Sequence, residues 1–249
     1  MHQILIKKDP EELIETAAAL FTGIANNTIA ARGSFSVALS GGSTPRALYS
    51  LLASQKYRSA IDWAKTRFFF SDERNVPPES AESNFRMANE TLLEPLKVAE
   101  ATVFRWKTEL DSAERVASDY QAKLRPVAPL DLILLGLGSD AHTASLFPHT
   151  AALHETEKLA VTNHVPHLKD DRFTMTFRAI NEARNIIVIV VGHEKARAVK
   201  NVLEGEFRPD DFPGQRIEPS TGSLYWLLDE PAASLLRTER GLLFGSAET

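Results

Sequence analysis

The stretch LDLILLGLGSDAHTASLFP, residues 130–148, decides the fold of this chain. Its apolar run from Leu132 to Leu135 is typical of a strand buried on both faces, and the glycines that follow allow a sharp turn. Asp140 and His142 come directly after that turn. Ligands bind at the carboxyl ends of the strands in open α/β sheets, so we predict a binding site here. His142, fixed beside an aspartate, is the candidate general base.

Strand-like and helix-like runs alternate along the rest of the chain, which predicts an α/β fold. We expect a Rossmann-like layered fold with a mostly parallel central sheet flanked by helices. No linker or repeat is visible, so residues 1–249 are expected to form a single domain. The predicted strands are 4–6, 35–39, 67–70, 130–135, 159–162, 172–177, 186–191, 224–228 and 242–244, and the predicted helices are 10–30, 46–52, 84–93, 112–124, 194–203 and a short one near Ala232.

Composition excludes several classes of function. The 28 basic and 33 acidic residues give a net charge of -5, which argues against nucleic acid as a partner. The chain has no cysteine, so disulfides, thiolate nucleophiles and cysteine-ligated zinc are excluded. The longest apolar run, 186–191, is too short to cross a bilayer. We therefore expect a cytoplasmic protein with neither a nucleic-acid nor a membrane partner.

A glycine motif, SGGSTP at residues 40–45, lies between a predicted strand and a predicted helix. Thr44 suits the helix N-cap and Pro45 the first helical position. Free backbone N–H groups and the helix dipole make such a turn an anion site, most naturally for phosphate. A tight strand–helix turn without a ligand is the alternative, and the P-loop pattern is absent. The candidate phosphate-binding residues are Gly41, Gly42, Ser43 and Thr44.

A charged motif, Asp72-Glu73-Arg74, follows the predicted strand 67–70. Such residues are common on solvated loops, and that interpretation stays open. Parallel strands place their carboxyl ends at one edge of a sheet, however, so the motif is expected near the glycine motif and His142.

Two cations further along the chain are candidate anion ligands. Arg172 opens a predicted strand, and Lys195 lies at the start of a predicted helix. A lysine at a helix N-terminus is unfavourable toward the dipole, and a bound anion would compensate for it. An exposed lysine without a ligand is the alternative.

Two other interpretations of the motifs are weak. Gly136-x-Gly138-x-x-Ala141 matches a dinucleotide fingerprint, but the following helix and the ribose-binding acid are missing. The pair His164-x-x-His167 has no third ligand in register, and HExxH is absent. We therefore expect neither a metal nor a cofactor.

Five motifs in this order resemble the 6-phosphogluconolactonase family, which shares its fold with glucosamine-6-phosphate deaminase and ribose-5-phosphate isomerase. They are LSGGSTP (39–45), FFSDERNVPPESAESNFRMANETLL (69–93), LDLILLGLGSDAHTASLFP (130–148), DRFTMTF (171–177) and VIVVGHEKARAV (188–199).

The resemblance implies hydrolysis of 6-phosphogluconolactone to 6-phosphogluconate in the oxidative pentose phosphate pathway. His142 would deprotonate the attacking water, Asp140 would orient its imidazole, and Arg74 would stabilise negative charge. Asp72 and Glu73 would bind sugar hydroxyls or hold Arg74. The substrate phosphate would lie on residues 41–44, with help from Arg172 and Lys195. The partner is then a small phosphorylated sugar lactone, and we expect a monomer or a weak homodimer.

Ala141 departs from the family pattern, which usually has glycine there; alanine would be strained if the position requires a positive φ. Two rivals remain. In an amino-sugar phosphate isomerase–deaminase, Asp72 would be the base, but Arg74 and the run TASLFP favour the lactonase. A non-catalytic sugar-phosphate sensor usually carries a DNA-binding helix pair ahead of the sensor and would leave the Asp140–His142 pair without a purpose.

Overall fold

A six-stranded parallel sheet forms the centre of the computed structural model, which describes residues 2–237. The spatial order of its strands is β1-β9-β8-β5-β2-β3, and every neighbouring pair is parallel. This confirms the predicted α/β fold. The strands are β1 (His2–Lys7), β2 (Phe35–Leu39), β3 (Thr66–Phe70), β5 (Leu132–Leu135), β8 (Asn185–Val190) and β9 (Ser223–Asp229).

A second, three-stranded antiparallel sheet has the order β4-β7-β6. Its strands are β4 (Asp72–Arg74), β6 (Ala160–Val165) and β7 (Asp170–Met175). The interpretation of the charged motif as a solvated loop is wrong, because Asp72–Arg74 forms strand β4 and Asp72 and Glu73 are buried. Three consecutive charged residues carry no strand periodicity, and they extend here because β7 lies opposite them.

Helices flank the central sheet. Asp9 caps α1 by accepting a hydrogen bond from the backbone N–H of Glu12, and every residue of β2 and β5 is buried. The helices are α1 (Pro10–Arg32), α2 (Ser43–Leu52), α3 (Asn84–Ala88), α4 (Ala113–Leu124), α5 (Phe177–Asn181), α6 (Ala196–Glu204) and α7 (Glu230–Ala233), and a π-helical turn (Asn89–Leu93) continues α3.

Some predicted boundaries need correction. Thr44 is not an N-cap, because α2 begins one residue earlier with Gly42 as its cap. Arg172 is the third residue of β7 and does not open it, and the predicted strand over 172–177 ends at Met175 because Phe177 begins α5. The predicted strand 242–244 lies outside the described residues.

The connections after β2 and after β5 run to opposite sides of the sheet. After β2 the next strand of this sheet is β3, at one edge, whereas after β5 the next strands are β8 and β9, on the other side. This makes the boundary between β2 and β5 a topological switch point, where open α/β sheets form their ligand crevice at the carboxyl ends of the strands.

Candidate active site

A cavity of about 270 Å³ lies at this switch point. We call it the central cavity. It is bounded by the loops that follow β2, β5 and β8, by β4, and by the first residue of α3. Its lining includes Ser40, Gly41, Gly42, Ser43, Thr44, Pro45, Asp72, Arg74, Asn84, Gly136, Leu137, Gly138, His142, Ala144 and Lys195.

His142 lines the central cavity, and its ring is fixed by Asp140. The distance between Nδ1 of His142 and Oδ1 of Asp140 is 2.5 Å, and the ring also stacks on Phe147 with centroids 4.1 Å apart. A carboxylate can only accept a hydrogen bond, so this contact assigns the imidazole proton to Nδ1. Nε2 is then the unprotonated nitrogen, as a general base requires.

Asp140 is held in its ionised form by this pair. Burial raises the pKa of the Asp140 carboxyl, but the hydrogen bonds and the electrostatic interaction with His142 outweigh burial, and the pKa lies below its ordinary value. The backbone N–H of His142 also donates to Asp140 Oδ1 at 3.2 Å. Asp140 does not line the cavity itself, but it contacts His142, which does.

Gly138 is required for the Asp140–His142 pair. A Cβ at position 138 would come closer than 3.0 Å to His142 Nδ1 and to Asp140 Oδ1. The Gly138 N–H donates to the His142 carbonyl oxygen at 2.8 Å and closes the loop. Gly138, the second glycine of the predicted turn, is therefore required because a side chain there would clash with the Asp140–His142 pair.

The loop after β5 is strained at two alanines. Ala141 has a φ of 65° and Ala144 has a φ of 48°, both in the left-handed region that favours glycine. Position 141, where the family resemblance implies glycine, thus has a positive φ, and strain of about 1–2 kcal/mol is expected at Ala141. The backbone N–H of Gly214 donates to the Ala141 carbonyl oxygen at 2.9 Å and holds the loop in this shape.

The glycine motif forms the turn from β2 into α2. Gly42, with a φ of 108°, is the N-cap residue, and the first N–H groups of a ten-residue helix follow it without intrahelical acceptors. Before the turn, the hydroxyl of Tyr49 accepts from the Ser40 N–H at 2.8 Å and donates to the Ser40 carbonyl oxygen at 2.9 Å. Both hydrogen bonds hold the start of the turn in place, and residues 40–45 line the central cavity at the N-terminus of α2.

Glu73 has a structural position. Its carboxylate accepts hydrogen bonds from the backbone N–H groups of Arg74, Asn84 and Phe85, at 2.9, 2.7 and 2.8 Å. Burial raises the pKa of the Glu73 carboxyl, and these N–H donors offset part of that effect. Glu73 therefore joins β4 to the N-terminus of α3 and does not line the cavity.

Asp72 and Arg74 do line the central cavity. Asp72 Oδ2 accepts a 2.7 Å hydrogen bond from the Ser145 hydroxyl, which connects β4 to the loop of His142. The Arg74 guanidinium donates to the carbonyl oxygen of Glu82. That contact fixes the side chain at the cavity wall.

Lys195 lines the central cavity, whereas Arg172 does not. Lys195 is the N-cap residue of α6, in the loop after β8. Arg172 lies opposite Arg74 in the antiparallel pair, but its guanidinium forms an ion pair with Asp170. The geometry offers no support for Arg172 as a phosphate ligand, and that assignment stays a prediction.

Comparisons with known proteins identify the family. Residues 8–226 match the family model of glucosamine-6-phosphate isomerases/6-phosphogluconolactonase. The chain belongs to this family. It is 38% identical over 244 residues to a 6-phosphogluconolactonase of a Synechocystis species, covering 94% of this chain and 97% of that one. It is 37% identical over 229 residues to a 6-phosphogluconolactonase of Chlamydia pneumoniae, covering 91% and 88%.

A solved structure of a family member superposes closely on the whole fold. The 6-phosphogluconolactonase from Trypanosoma brucei matches with a TM-score of 0.85 at 30% identity, over 95% of this chain and 99% of that one. The resemblance predicted from the five motifs is therefore confirmed, as is the fold it implied.

Sequence reasoning missed Asn84, which lines the central cavity of the present chain. It is 2% exposed, and its Nδ2 donates to the carbonyl oxygen of Asp72 at 3.0 Å. We predicted residue 84 only as the beginning of a helix. The available signal was its position, directly after the polar loop that follows the charged motif.

Residues 2–237 contain no group of three His, Cys, Asp or Glu side chains placed to hold a metal ion. Within the same range, no helix is both long and apolar enough to cross a bilayer.

Proposed function

We propose that this chain hydrolyses 6-phosphogluconolactone to 6-phosphogluconate, in the oxidative pentose phosphate pathway. One observation carries the proposal: a histidine with a free Nε2, held by an aspartate, faces the same cavity as a glycine turn at a helix N-terminus and a lysine. The cavity thus combines a base with an anion site. The relatives named above carry the same activity in their names.

The reaction needs one base and one donor of positive charge. His142 Nε2 removes a proton from water, and the water oxygen attacks the lactone carbonyl carbon. The carbonyl becomes an oxyanion, and the guanidinium of Arg74 lies on the cavity wall to stabilise it. When the oxyanion collapses, the bond from the carbonyl carbon to the ring oxygen breaks. His142 returns its proton to that oxygen, which becomes a hydroxyl.

The phosphate would bind beside the glycine turn and Lys195. Residues 42–44, at the N-terminus of α2, and Lys195 all line the cavity, and helix N–H groups and an ammonium group attract anions. An anion there would offset the unfavourable position of Lys195 at the N-terminus of α6. Asp72, an acceptor in the same cavity, would bind hydroxyls of the sugar.

The partner implied by this proposal is a small phosphorylated sugar lactone, and the compartment is the cytoplasm. The expectations of no nucleic-acid partner, of a monomer or weak homodimer, and of a single domain over residues 1–249 stay predictions.

Isomerisation and deamination of an amino-sugar phosphate is a second candidate, because Asp72 lines the cavity and could move a proton between carbons. Its carboxylate, however, already accepts hydrogen bonds from Ser145 and Asn84. Both carboxylate oxygens are thus engaged, whereas Nε2 of His142 has no such partner within residues 2–237 and can take up the proton.

The proposal is tested by following the hydrolysis of freshly generated 6-phosphogluconolactone and subtracting the spontaneous rate. Release of ammonia from glucosamine 6-phosphate is measured on the same sample. We expect rapid lactone opening and no ammonia. A lactone rate equal to the spontaneous one refutes the proposal, and ammonia release transfers the assignment to the deaminase.

Replacing Lys195 with alanine is expected to raise KM for the lactone by about 10- to 100-fold with a small change in kcat, because a charge-assisted contact to the phosphate is lost before and during reaction alike. Steady-state kinetics measures this. Lys200→Ala is the matched control, since Lys200 lies on the same helix outside the cavity lining. A fall in kcat at unchanged KM for Lys195→Ala would exclude the phosphate role.

A further inference from the structure

Two buried polar atoms in the central cavity have no hydrogen-bond partner. Among residues 2–237, four buried side-chain oxygens or nitrogens are unpaired, and Ser40 Oγ and Asn84 Oδ1 are the two whose residues line this cavity. A buried polar group without a partner costs free energy and calls for an explanation. Because both residues line the cavity, a ligand bound there could supply the missing hydrogen bonds.

The orientation of the Asn84 carboxamide is fixed by its neighbours. Its Nδ2 lies 3.0 Å from the carbonyl oxygen of Asp72 and 3.3 Å from Oδ1 of the same residue. Both atoms are acceptors, so the amide nitrogen must face them, and the oxygen must be the unpaired atom. Asn84 Oδ1 is therefore a hydrogen-bond acceptor without a donor in the described part of the chain.

Gly41 leaves room for this oxygen. A Cβ at position 41 would come closer than 3.0 Å to the Oδ1, Cγ and Nδ2 atoms of Asn84. No positive φ occurs at Gly41, so the absence of a side chain serves the approach of the carboxamide. The glycine motif and α3 are thus fitted to each other at the cavity wall.

The chemistry of this wall selects the group that binds it. An amide oxygen only accepts hydrogen bonds, and the Asp72 carboxylate beside it is negative. A phosphate or a carbonyl group, which can only accept, is repelled there, whereas a hydroxyl can donate. The hydroxyl of Ser40, a residue of the same cavity lining, can donate a hydrogen bond to an alcohol group or accept one from it.

We propose that Asn84 Oδ1, with Ser40 Oγ, binds a ring hydroxyl of the sugar lactone and so determines which hydroxylated lactones are accepted. This rests on the proposed function. The central cavity then has two parts. The N–H groups of residues 42–44 and Lys195 bind the phosphate, and Asn84 and Asp72 bind the hydroxyl groups of the sugar.

The test is a substrate–variant cycle with 6-phosphogluconolactone and its 2-, 3- and 4-deoxy analogues. For the wild type, removal of the correct hydroxyl is expected to lower kcat/KM by about 10- to 100-fold, because the buried acceptor is left unpaired. For Asn84→Ala, that analogue and the parent lactone should react at nearly equal rates. Dissociation constants for 6-phosphogluconate, measured by calorimetry, give a readout without turnover and should rise by about tenfold in the variant.

Asn163→Ala is the matched control. Asn163 is also buried with an unpaired Oδ1, and its Nδ2 donates to the Ser145 carbonyl oxygen, but it does not line the cavity. Its loss should leave discrimination among the deoxy lactones as in the wild type.

If Asn84→Ala does not fold, Ser40→Ala in the same cycle replaces it. The inference is wrong if the wild type hydrolyses the lactone but neither variant reduces the difference in kcat/KM between the parent lactone and any deoxy analogue. Absence of lactone hydrolysis by the wild type would instead refute the proposed function.

Discussion

Replacing His142 with alanine is expected to lower kcat for lactone hydrolysis by about 10²- to 10⁴-fold, the range that a positioned general base contributes. The substrate keeps its contacts to the glycine turn and Lys195, so binding of 6-phosphogluconate should change little. Rates corrected for spontaneous hydrolysis and product titration calorimetry measure the two effects.

A second histidine–aspartate pair provides the control. The Nδ1 atom of His164 lies 2.9 Å from Oδ1 of Asp171, but this pair is on the exposed side of β6 and β7 and outside the cavity. His164→Ala should keep the wild-type rate. Near-wild-type turnover in His142→Ala would remove His142 from the role of base.

Gly138→Ala is expected to reduce kcat by at least about 10²-fold, close to the effect of removing the base itself. The added methyl would occupy the space of the His142 ring nitrogen and of the Asp140 carboxylate, so the pair must separate or the loop must move. Either change misplaces Nε2, and a small displacement of a catalytic group is costly. Turnover and thermal unfolding are measured on the same preparation.

The same substitution at Gly23 controls for the general cost of alanine. A Cβ at Gly23, in α1, meets nothing within 4 Å, so Gly23→Ala should retain full activity. Wild-type kcat in Gly138→Ala would show that the Asp140–His142 contact is dispensable for catalysis.

The elements that were predictable are those with local causes. The apolar run of β5, the glycines after it and the paired Asp140 and His142 are adjacent in sequence, and adjacency at a buried strand end fixes their placement. The convergence of the glycine motif and the charged motif with His142 also followed from one rule, that parallel strands end at the same edge, whereas Lys195 was placed there by the family resemblance.

The features that were missed depend on partners distant in sequence. Residues 72–74 form strand β4 because β7 pairs with them, and three consecutive charged residues have no periodicity that predicts a strand. The ion pair between the Arg172 guanidinium and Asp170 was also not foreseen, and the phosphate role of Arg172 stays a prediction. The role of Asn84 depends on contacts to Asp72 and Gly41, each made across different elements.

The central cavity takes its lining from both sheets, and this has a mechanical consequence. The glycine turn, His142 and Lys195 belong to loops of the parallel sheet, whereas Asp72 and Arg74 belong to β4 of the small antiparallel sheet. Glu73 and Asn84 join β4 to α3, and the Ser145 hydroxyl joins Asp72 to the loop of His142. A displacement of the small sheet would therefore carry Asp72 and Arg74 away from His142. The cavity is complete only while the two sheets keep their relative positions.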